Sequence, residues 1–135
     1  MATKVIPAEL RRLNDAISFV EGELEKLDCS AKDRAAIDVA LEEIFVNVAH
    51  YAYPGCEGAA IIDVNAVDGG VRIDISDEGK PFNPLAKKDP DITLSSDERN
   101  IGGLGIYMVK KMMDEVSYDY AYGKNILTMI KYLAK

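Results

Sequence analysis

The stretch LEEIFVNVAHYAYP, residues 41–54, decides the fold. Its apolar residues recur every three or four positions, which indicates an amphipathic helix with one buried face. Glu43 and Asn47 are four positions apart, so their side chains lie about 40° apart on the helix and point the same way. Both flank the apolar stripe, whereas Glu42 lies further toward solvent. Polar groups at the border of a core need partners or a cavity, unless they form an exposed pair without a role.

This helix is predicted to begin after Ser30, which can cap it with its hydroxyl group. The sequence YPGCEG, residues 53–58, is predicted to end it. Its apolar stripe comprises Ile37, Leu41, Ile44, Val48 and Ala52.

An earlier segment, residues 5–29, predicts a first helix that opens at Pro7, a residue suited to the first turn. Leucine, isoleucine and valine recur there in steps of three and four from Leu10 to Leu27. This seam indicates a helix that packs on a sheet or, alternatively, forms a subunit interface. Gly22 lies inside the segment and weakens its helical tendency.

The second half of the chain predicts two hairpins and a third helix. Strands rich in β-branched residues are predicted at 59–67 and 71–77, joined by the DGG turn at 68–70. A long segment without periodicity follows, and a loop of that length is usually functional or mobile. A helix is predicted at 104–116, and then two strands with a turn at Gly123–Lys124. Hairpins with segregated helices indicate a two-layer α+β sandwich.

Composition limits the classes of function. The chain has 135 residues, 48% hydrophobic and 29% charged, and we expect one domain over 1–135. The net charge of −7 argues against nucleic acid as a partner. No segment has the length of a membrane span or the character of a signal peptide, so we expect a cytoplasmic protein without a membrane partner. Cys29 and Cys56 are expected to be free thiols.

A second polar feature ends the predicted strand at 71–77. Asp77 is followed two residues later by Gly79, where a backbone without a side chain can approach a ligand closely. An ionised carboxylate only accepts hydrogen bonds, which suits an exocyclic amine such as that of adenine. An acidic turn without a ligand explains the same residues.

A third feature is the run of glycines before the last helix. Gly102, Gly103 and Gly105 would leave bare N–H groups at a helix N-terminus, where phosphate binds. The pattern is neither a Walker A motif nor a dinucleotide motif, because Met108 stands where the last glycine would be. A glycine-rich turn without a ligand would look the same.

Together and in this order, the three features resemble the N, G1 and G2 boxes of the GHKL ATPase/kinase superfamily. Within it, EIFVNVAHYAYP, DEGKPFNP and GGLGIYMVKKMMDEVSYDYAYGKNILTMIKYL are similar to the small anti-sigma factor serine/threonine-protein kinases. The likeness covers about residues 5–133. It implies the Bergerat ATP-binding fold, an α+β two-layer sandwich whose mixed, mostly antiparallel sheet is covered on one face by helices.

The resemblance implies a role for each of the polar residues. Asn47 would coordinate the Mg²⁺ that bridges the phosphates of ATP, since oxygen ligands suit this ion. Glu43 would be the catalytic base that accepts the proton of the attacking hydroxyl. Asp77 would accept a hydrogen bond from the adenine amine, with Gly79 beneath the base.

The resemblance also assigns the phosphate end of the site. Gly103 and Gly105, with Leu104 between them, would belong to the turn that cradles the phosphates. Residues 82–101 would form a lid over ATP, and Arg99 within it could neutralise phosphate charge.

Two residues fit the resemblance less simply. His50, one turn beyond Asn47, is included among the nucleotide-binding residues as a phosphate contact, although a structural role explains it equally. Pro81 stands where many relatives have a second glycine, in a form that resembles a variant of the anti-sigma branch.

The implied function is an ATP-dependent serine/threonine kinase that phosphorylates an anti-anti-sigma (STAS) protein and sequesters a sigma factor, as a homodimer. One alternative is a regulatory module that binds ATP without catalysis, which would have no need of Glu43 as a base. Another is the catalytic domain of a histidine kinase, for which the sequence shows no upstream helix pair with a phosphoacceptor histidine.

Overall fold

The computed structural model describes residues 2–86 and 101–133, and of residues 101–104 only the backbone. Five strands and three α-helices lie within these residues. The strands are β1 Ala2–Pro7, β2 Ala59–Val67, β3 Gly70–Asp77, β4 Glu115–Ala121 and β5 Lys124–Tyr132. The helices are α1 Leu13–Lys26, α2 Ala31–Tyr51 and α3 Ile101–Met112. Short 3₁₀ turns lie at Leu10–Arg12 and Pro84–Ala86.

One five-stranded sheet has the order β1-β2-β3-β5-β4. Each neighbouring pair of these strands is antiparallel, so the described sheet contains no parallel pair. Buried residues alternate with more exposed ones along the strands, as Ala60, Ile62 and Val64 do in β2. This alternation places the core on the one face that the helices cover. The expected α+β two-layer sandwich is therefore confirmed.

Helix α2 forms as its sequence predicts. The Ser30 hydroxyl accepts a hydrogen bond from the Asp33 backbone N–H at 3.1 Å, which satisfies one free donor of the first turn. All members of the predicted stripe are buried, from Ile37 near the start to Ala52 at the end. The helix therefore turns one face to the core along its whole length.

The N-terminus differs from the prediction. Pro7 ends β1 instead of opening a helix, and α1 begins only at Leu13. Strand β1 forms because Ile6, 1% exposed, enters the core while its backbone pairs with Ala60 of β2. At an edge strand, the missing N–H of a proline is tolerated. Leu10, predicted to start the apolar seam, is exposed in the 3₁₀ turn.

The two hairpins are confirmed, and the turn of the second lies at a slightly different position. Gly69 has φ +76°, which the turn between β2 and β3 requires. The turn between β4 and β5 lies at Tyr122–Gly123, one residue before the predicted position, and both residues have positive φ. A two-residue hairpin loop of this handedness matches the twist of its strands.

Helix α3 also differs in its limits. It starts at Ile101, three residues before the prediction, and ends at Met112. Ile106, Val109 and Met113 are buried as predicted, whereas Val116 belongs to β4. No helix in the described ranges has the length and apolar character that crossing a bilayer requires.

A carboxyl pair lies between α1 and α2. Burial, then a hydrogen bond with Glu21 and the charge of Glu21, raise the pKa of Asp38 to about 7, and the nearby Arg34 acts in the opposite direction. The Asp38 Oδ1 atom is buried and has no hydrogen-bond partner among the described residues. The folded protein therefore keeps a proton on Asp38 that the unfolded chain releases near pH 4.

We expect Asp38→Asn to flatten the dependence of stability on pH. A raised pKa gives a contribution that is fully present below about pH 4 and is lost as pH rises through about 7. At pH 8 the variant should therefore be more stable than the wild type, and the difference should shrink toward pH 5. Urea unfolding across this range measures it, with Asp68→Asn in the exposed β2–β3 turn as control. Equal pH slopes in Asp38→Asn and wild type would contradict the assignment.

Candidate functional site

A cavity opens between the second half of α2 and the ends of β3, β4 and β5. It encloses about 410 Å³, including the part that opens to solvent. Its apolar walls come from Ile44, Val48, Ile75 and Leu127. Apolar walls with few polar groups suit a flat, aromatic ligand.

Asp77 lies at the floor of this cavity and is 4% exposed. Its Oδ1 atom accepts two hydrogen bonds, from the Gly79 backbone N–H at 2.9 Å and from Asn125 Nδ2 at 2.9 Å. These donors offset the loss of hydration that burial of a carboxylate causes. Within residues 2–86 and 101–133, no donor reaches the Oδ2 atom, which leaves the carboxylate one oxygen that can accept from a ligand.

The loop after Asp77 is fixed to the end of α2. The Lys80 backbone N–H donates to the Ala52 carbonyl at 2.8 Å, and a Cβ atom on Gly79 would stand 2.1 Å from the same oxygen. The loop can approach the helix this closely only because residue 79 has no side chain. The close approach that the structure explains is therefore with α2, and the proposed place of Gly79 beneath a base stays a prediction.

Tyr53 forms a second link between this loop and the rest of the fold. Its hydroxyl donates to the Ala59 carbonyl at 2.6 Å and accepts from the Glu78 backbone N–H at 2.8 Å. Burial raises the pKa of Tyr53, so the hydroxyl stays protonated and keeps donating at neutral pH. The loop that carries Gly79 is thereby attached on both sides of the glycine, at Glu78 and at Lys80.

Glu43 and Asn47 lie at the border of the core, as the helical spacing predicts. Both are half-buried, whereas Glu42 is exposed. Asn47 lines the cavity. The Glu43 carboxylate faces α3, because a Cβ atom on Gly105 would stand 2.3 Å from Glu43 Oε2. The structure therefore brings Asn47 and Asp77 to one cavity and sets Glu43 against the first turns of α3.

The remaining predicted site residues are less closely gathered. His50 is exposed, its ring lies edge-on to Tyr51 at 5.9 Å between centroids, and it is not among the residues that line this cavity. Gly103 and Leu104 lie by their backbone in the first turn of α3, so the glycines are inside the helix and not in a turn before it. Arg99 lies outside the described residues.

Three aromatic residues and one amide complete the cavity and were missed by the sequence analysis. Tyr118 and Asn125 line its inner end, and the rings of Tyr51 and Phe82 lie 5.9 Å apart at its mouth. Asn125 could have been found from its spacing: it precedes Leu127 and Met129 by two and four positions on the buried face of β5. A polar residue at a core position of a strand indicates a specific partner.

The cavity offers few side chains that could bind Mg²⁺. Among the described residues, no group of three or more His, Cys, Asp or Glu side chains could hold a metal ion. Mg²⁺ usually takes only one or two protein oxygens and obtains the rest from phosphates and water. The Asn47 carboxamide lines the cavity, and no described residue hydrogen-bonds to it. The residues present therefore fit an ion that is carried by a nucleotide.

Comparison with known proteins shows which family this sequence matches. The family model described as histidine kinase-like ATPase domain matches residues 6–131. Serine/threonine-protein kinase BtrW of Bordetella bronchiseptica is 26% identical over 89% of this chain and 85% of its own. Serine-protein kinase RsbW of Staphylococcus epidermidis is 29% identical over 96% and 85%. Anti-sigma F factor of Caldanaerobacter subterraneus is 27% identical over 82% and 78%.

Solved structures support the same fold. All of this chain aligns with the crystal structure of the RsbU and RsbW domains of a Mycobacterium tuberculosis protein, with a TM-score of 0.70 and 16% identity. The match spans about a third, 33%, of that longer chain. Acinetobacter baumannii histidine kinase AdeS aligns with a TM-score of 0.56 and 16% identity, over 69% of its chain. At these identities the likeness concerns the fold alone.

We expect Gly79→Ala to destabilise the protein and loosen the cavity floor. The new Cβ atom would meet the Ala52 carbonyl at 2.1 Å, and a backbone atom cannot move aside cheaply. We expect a loss of about 1–3 kcal/mol in the free energy of unfolding, as for other overpacked sites. Urea denaturation measures this loss.

Gly22→Ala is the matched control, because nothing lies within 4 Å of the added atom and the residue is inside α1. It should raise stability by about 0.5–1 kcal/mol through helix propensity. If Gly79→Ala were as stable as the wild type, the contact with Ala52 would not be what requires a glycine.

Proposed function

Because this chain belongs to the histidine kinase-like ATPase domain family, we propose that it is an ATP-dependent serine/threonine-protein kinase of the anti-sigma factor type. It would phosphorylate an anti-anti-sigma protein with a STAS domain and sequester a sigma factor. The names of the relatives support this: two are serine or serine/threonine-protein kinases and one is an anti-sigma F factor. The proposal treats residues 1–135 as one domain that acts in the cytoplasm.

One observation supports the proposal most directly. Asn47 of α2 lines a cavity whose floor is a buried carboxylate, Asp77, and Glu43 lies one helical turn before Asn47, against α3. The apolar walls and the accepting Oδ2 atom suit a purine with an amino group. Asn47 lines the same cavity, and we propose that the phosphates of a bound nucleotide extend past it. The proposed base-binding carboxylate thus lies at the end of β3, and the proposed reactive residues lie on α2.

The roles of the residues follow from their chemistry. When bound, Mg²⁺ would neutralise phosphate charge, and Asn47 would supply one oxygen ligand. The Glu43 carboxylate would accept the proton of a serine hydroxyl as the hydroxyl oxygen forms its bond to the γ-phosphorus. The bond between that phosphorus and the β–γ bridging oxygen breaks, and ADP leaves. Gly105 lets Glu43 approach α3, which would bring the carboxylate near the proposed phosphate end.

The alternative is a module that binds ATP and transfers nothing. Binding by an apolar cavity, Asp77 and Asn47 does not need a carboxylate at position 43. Glu43 is nevertheless present beside α3, where its carboxylate can accept the proton of a hydroxyl, a role that binding alone does not require. This placement favours the kinase.

The proposal extends to partners that the cavity alone does not identify. The sigma factor and the STAS protein would compete for this chain, and we propose that it acts as a homodimer. Size-exclusion chromatography with light scattering, and pull-down of each partner with and without the other, would test these points. A stable monomer, or simultaneous binding of both partners, would overturn the corresponding part.

Phosphoryl transfer is tested by incubating the purified protein with γ-labelled ATP, Mg²⁺ and a STAS-domain protein from the same cell. The kinase should transfer label to one serine or threonine, which mass spectrometry identifies. Nucleotide binding without transfer to any STAS protein of that cell would favour the binding module. Absence of nucleotide binding would overturn both.

We expect Asn47→Ala to abolish the effect of Mg²⁺ on ATP affinity. Loss of the carboxamide oxygen removes the only protein ligand proposed for the ion, so affinity for Mg-ATP should fall about 10-fold or more. Calorimetry with Mg²⁺ and with EDTA separates the ion's contribution from that of the base. Asn14→Ala, exposed on α1, is the control. Wild-type affinity with wild-type Mg²⁺ dependence in Asn47→Ala would remove the assignment.

We expect Glu43→Gln to retain nucleotide affinity and to lower the transfer rate about 10²-fold or more, because an amide does not accept the hydroxyl proton. Single-turnover transfer and calorimetry measure the two quantities separately. Glu42→Gln makes the same chemical change at the adjacent exposed position and should leave both unchanged. Transfer at the wild-type rate in Glu43→Gln would show that another group is the base.

A further inference from the structure

Asn125 is the polar residue with the most hydrogen bonds around the cavity floor, and nothing above gives it a function. It lies on β5 directly opposite Asp77 of β3 and is 7% exposed. Its Nδ2 atom donates to Asp77 Oδ1 at 2.9 Å and to the Lys80 carbonyl at 2.9 Å. Its Oδ1 atom accepts from the Phe82 backbone N–H at 3.0 Å and from the Tyr118 hydroxyl.

These partners fix which end of the carboxamide faces Asp77. A backbone N–H such as that of Phe82 can only donate, and a carbonyl such as that of Lys80 can only accept. The oxygen of Asn125 must therefore face Phe82, and its nitrogen must face Lys80 and Asp77. Rotation of the amide by 180° would break the hydrogen bonds with Phe82, Lys80 and Asp77. The donor that faces Asp77 is therefore permanent.

Tyr118 reinforces the same orientation. Burial raises the pKa of Tyr118, so its hydroxyl keeps its proton and donates to Asn125 Oδ1. The opposite arrangement would turn the oxygen of Asn125 toward the Lys80 carbonyl and Asp77 Oδ1, both of which accept and cannot donate to it.

A permanent donor at Asn125 determines what Asp77 offers to a ligand. Oδ1 is occupied by Asn125 Nδ2 and by the Gly79 N–H, both of which require it to accept. The other oxygen, Oδ2, has no donor among the described residues and is therefore the one that can accept from a ligand. An accepting oxygen matches the 6-amino group of adenine and repels the 6-oxo group of hypoxanthine or guanine.

We propose that Asn125 is a positioning residue that determines base specificity: its carboxamide holds Asp77 so that only an accepting oxygen faces the cavity, which selects 6-amino over 6-oxo purine nucleotides. The inference rests on the nucleotide-binding function proposed above. Asn125 itself has its four hydrogen bonds filled by protein and acts on the ligand through Asp77.

The same side chain holds the cavity mouth. Through Lys80 and Phe82, Asn125 ties the segment after β3 to β5, and the Phe82 ring lies beside Tyr51. Loss of this link alone would lower the affinity for every nucleotide equally. The two rings would contact a base without regard to its 6-substituent. The ratio of affinities for two bases therefore separates the specificity role from a merely structural one.

The test measures affinity for ATP and for inosine triphosphate by calorimetry, in the wild type and in Asn125→Asp. The variant keeps the size of the side chain and its acceptor toward Phe82, but it replaces the donor by an oxygen that faces Asp77. We expect ATP affinity to fall and the ATP/ITP affinity ratio to drop about 10-fold or more. Asn14→Asp, exposed on α1, adds the same charge away from the cavity and should leave the ratio unchanged.

Asn125→Leu is the second variant. It is used if circular dichroism shows that Asn125→Asp does not fold. Leucine suits a position that shares the buried face of β5 with Leu127 and Met129, and it also removes the donor. The ATP/ITP ratio should again fall. A wild-type ratio in a folded Asn125 variant would overturn this inference and leave the proposed function intact. A wild type that binds neither nucleotide would overturn both.

Discussion

The burial of the Asp77 carboxylate is the constraint on which the rest of the site depends. A carboxylate that is 4% exposed is unfavourable unless N–H donors surround it. One donor must come from the chain just after it, which requires a tight turn at Gly79. The other must come from the neighbouring strand, which requires a polar side chain at a position of β5 that otherwise faces the core. Gly79 and Asn125 therefore both stabilise the buried carboxylate of Asp77.

Helix α2 connects this buried charge to the reactive end. Its apolar stripe holds it on the sheet, and the Ala52 carbonyl at its C-terminal end accepts a hydrogen bond from the loop that follows Asp77. Glu43 and Asn47 lie on the same helix, so their distance from the cavity floor is set by helical geometry and not by a loop. A rigid element between base and phosphate sites keeps a reacting group in position, which is where much of the catalysis of phosphoryl transfer originates.

Local patterns in the sequence were sufficient for α2, the hairpins and the border position of Glu43 and Asn47, because helical and strand periodicities act over a few residues. They failed at β1, where Pro7 and a leucine seam indicate a helix. The strand forms because its backbone pairs with β2, more than 50 residues away in the sequence, and Ile6 fills the core there. Asn125 was missed for a related reason, since its partner Asp77 is 48 residues away. Pairing across a sheet is not encoded in any short window.

The two ends of the site differ in how closely the protein holds them. At the base end, backbone and side-chain hydrogen bonds leave Asp77 and Asn125 no freedom to rearrange. At the proposed reactive end, no described residue forms a hydrogen bond with the side chain of Asn47. Glu43 lies close to Gly105, and this approach is possible because residue 105 has no side chain. Recognition of a base benefits from fixed donors and acceptors, whereas groups that bind a metal and accept a proton must be free to engage them. The difference in hydrogen bonding between the β3–β5 end and the α2 end is therefore what the proposed function requires.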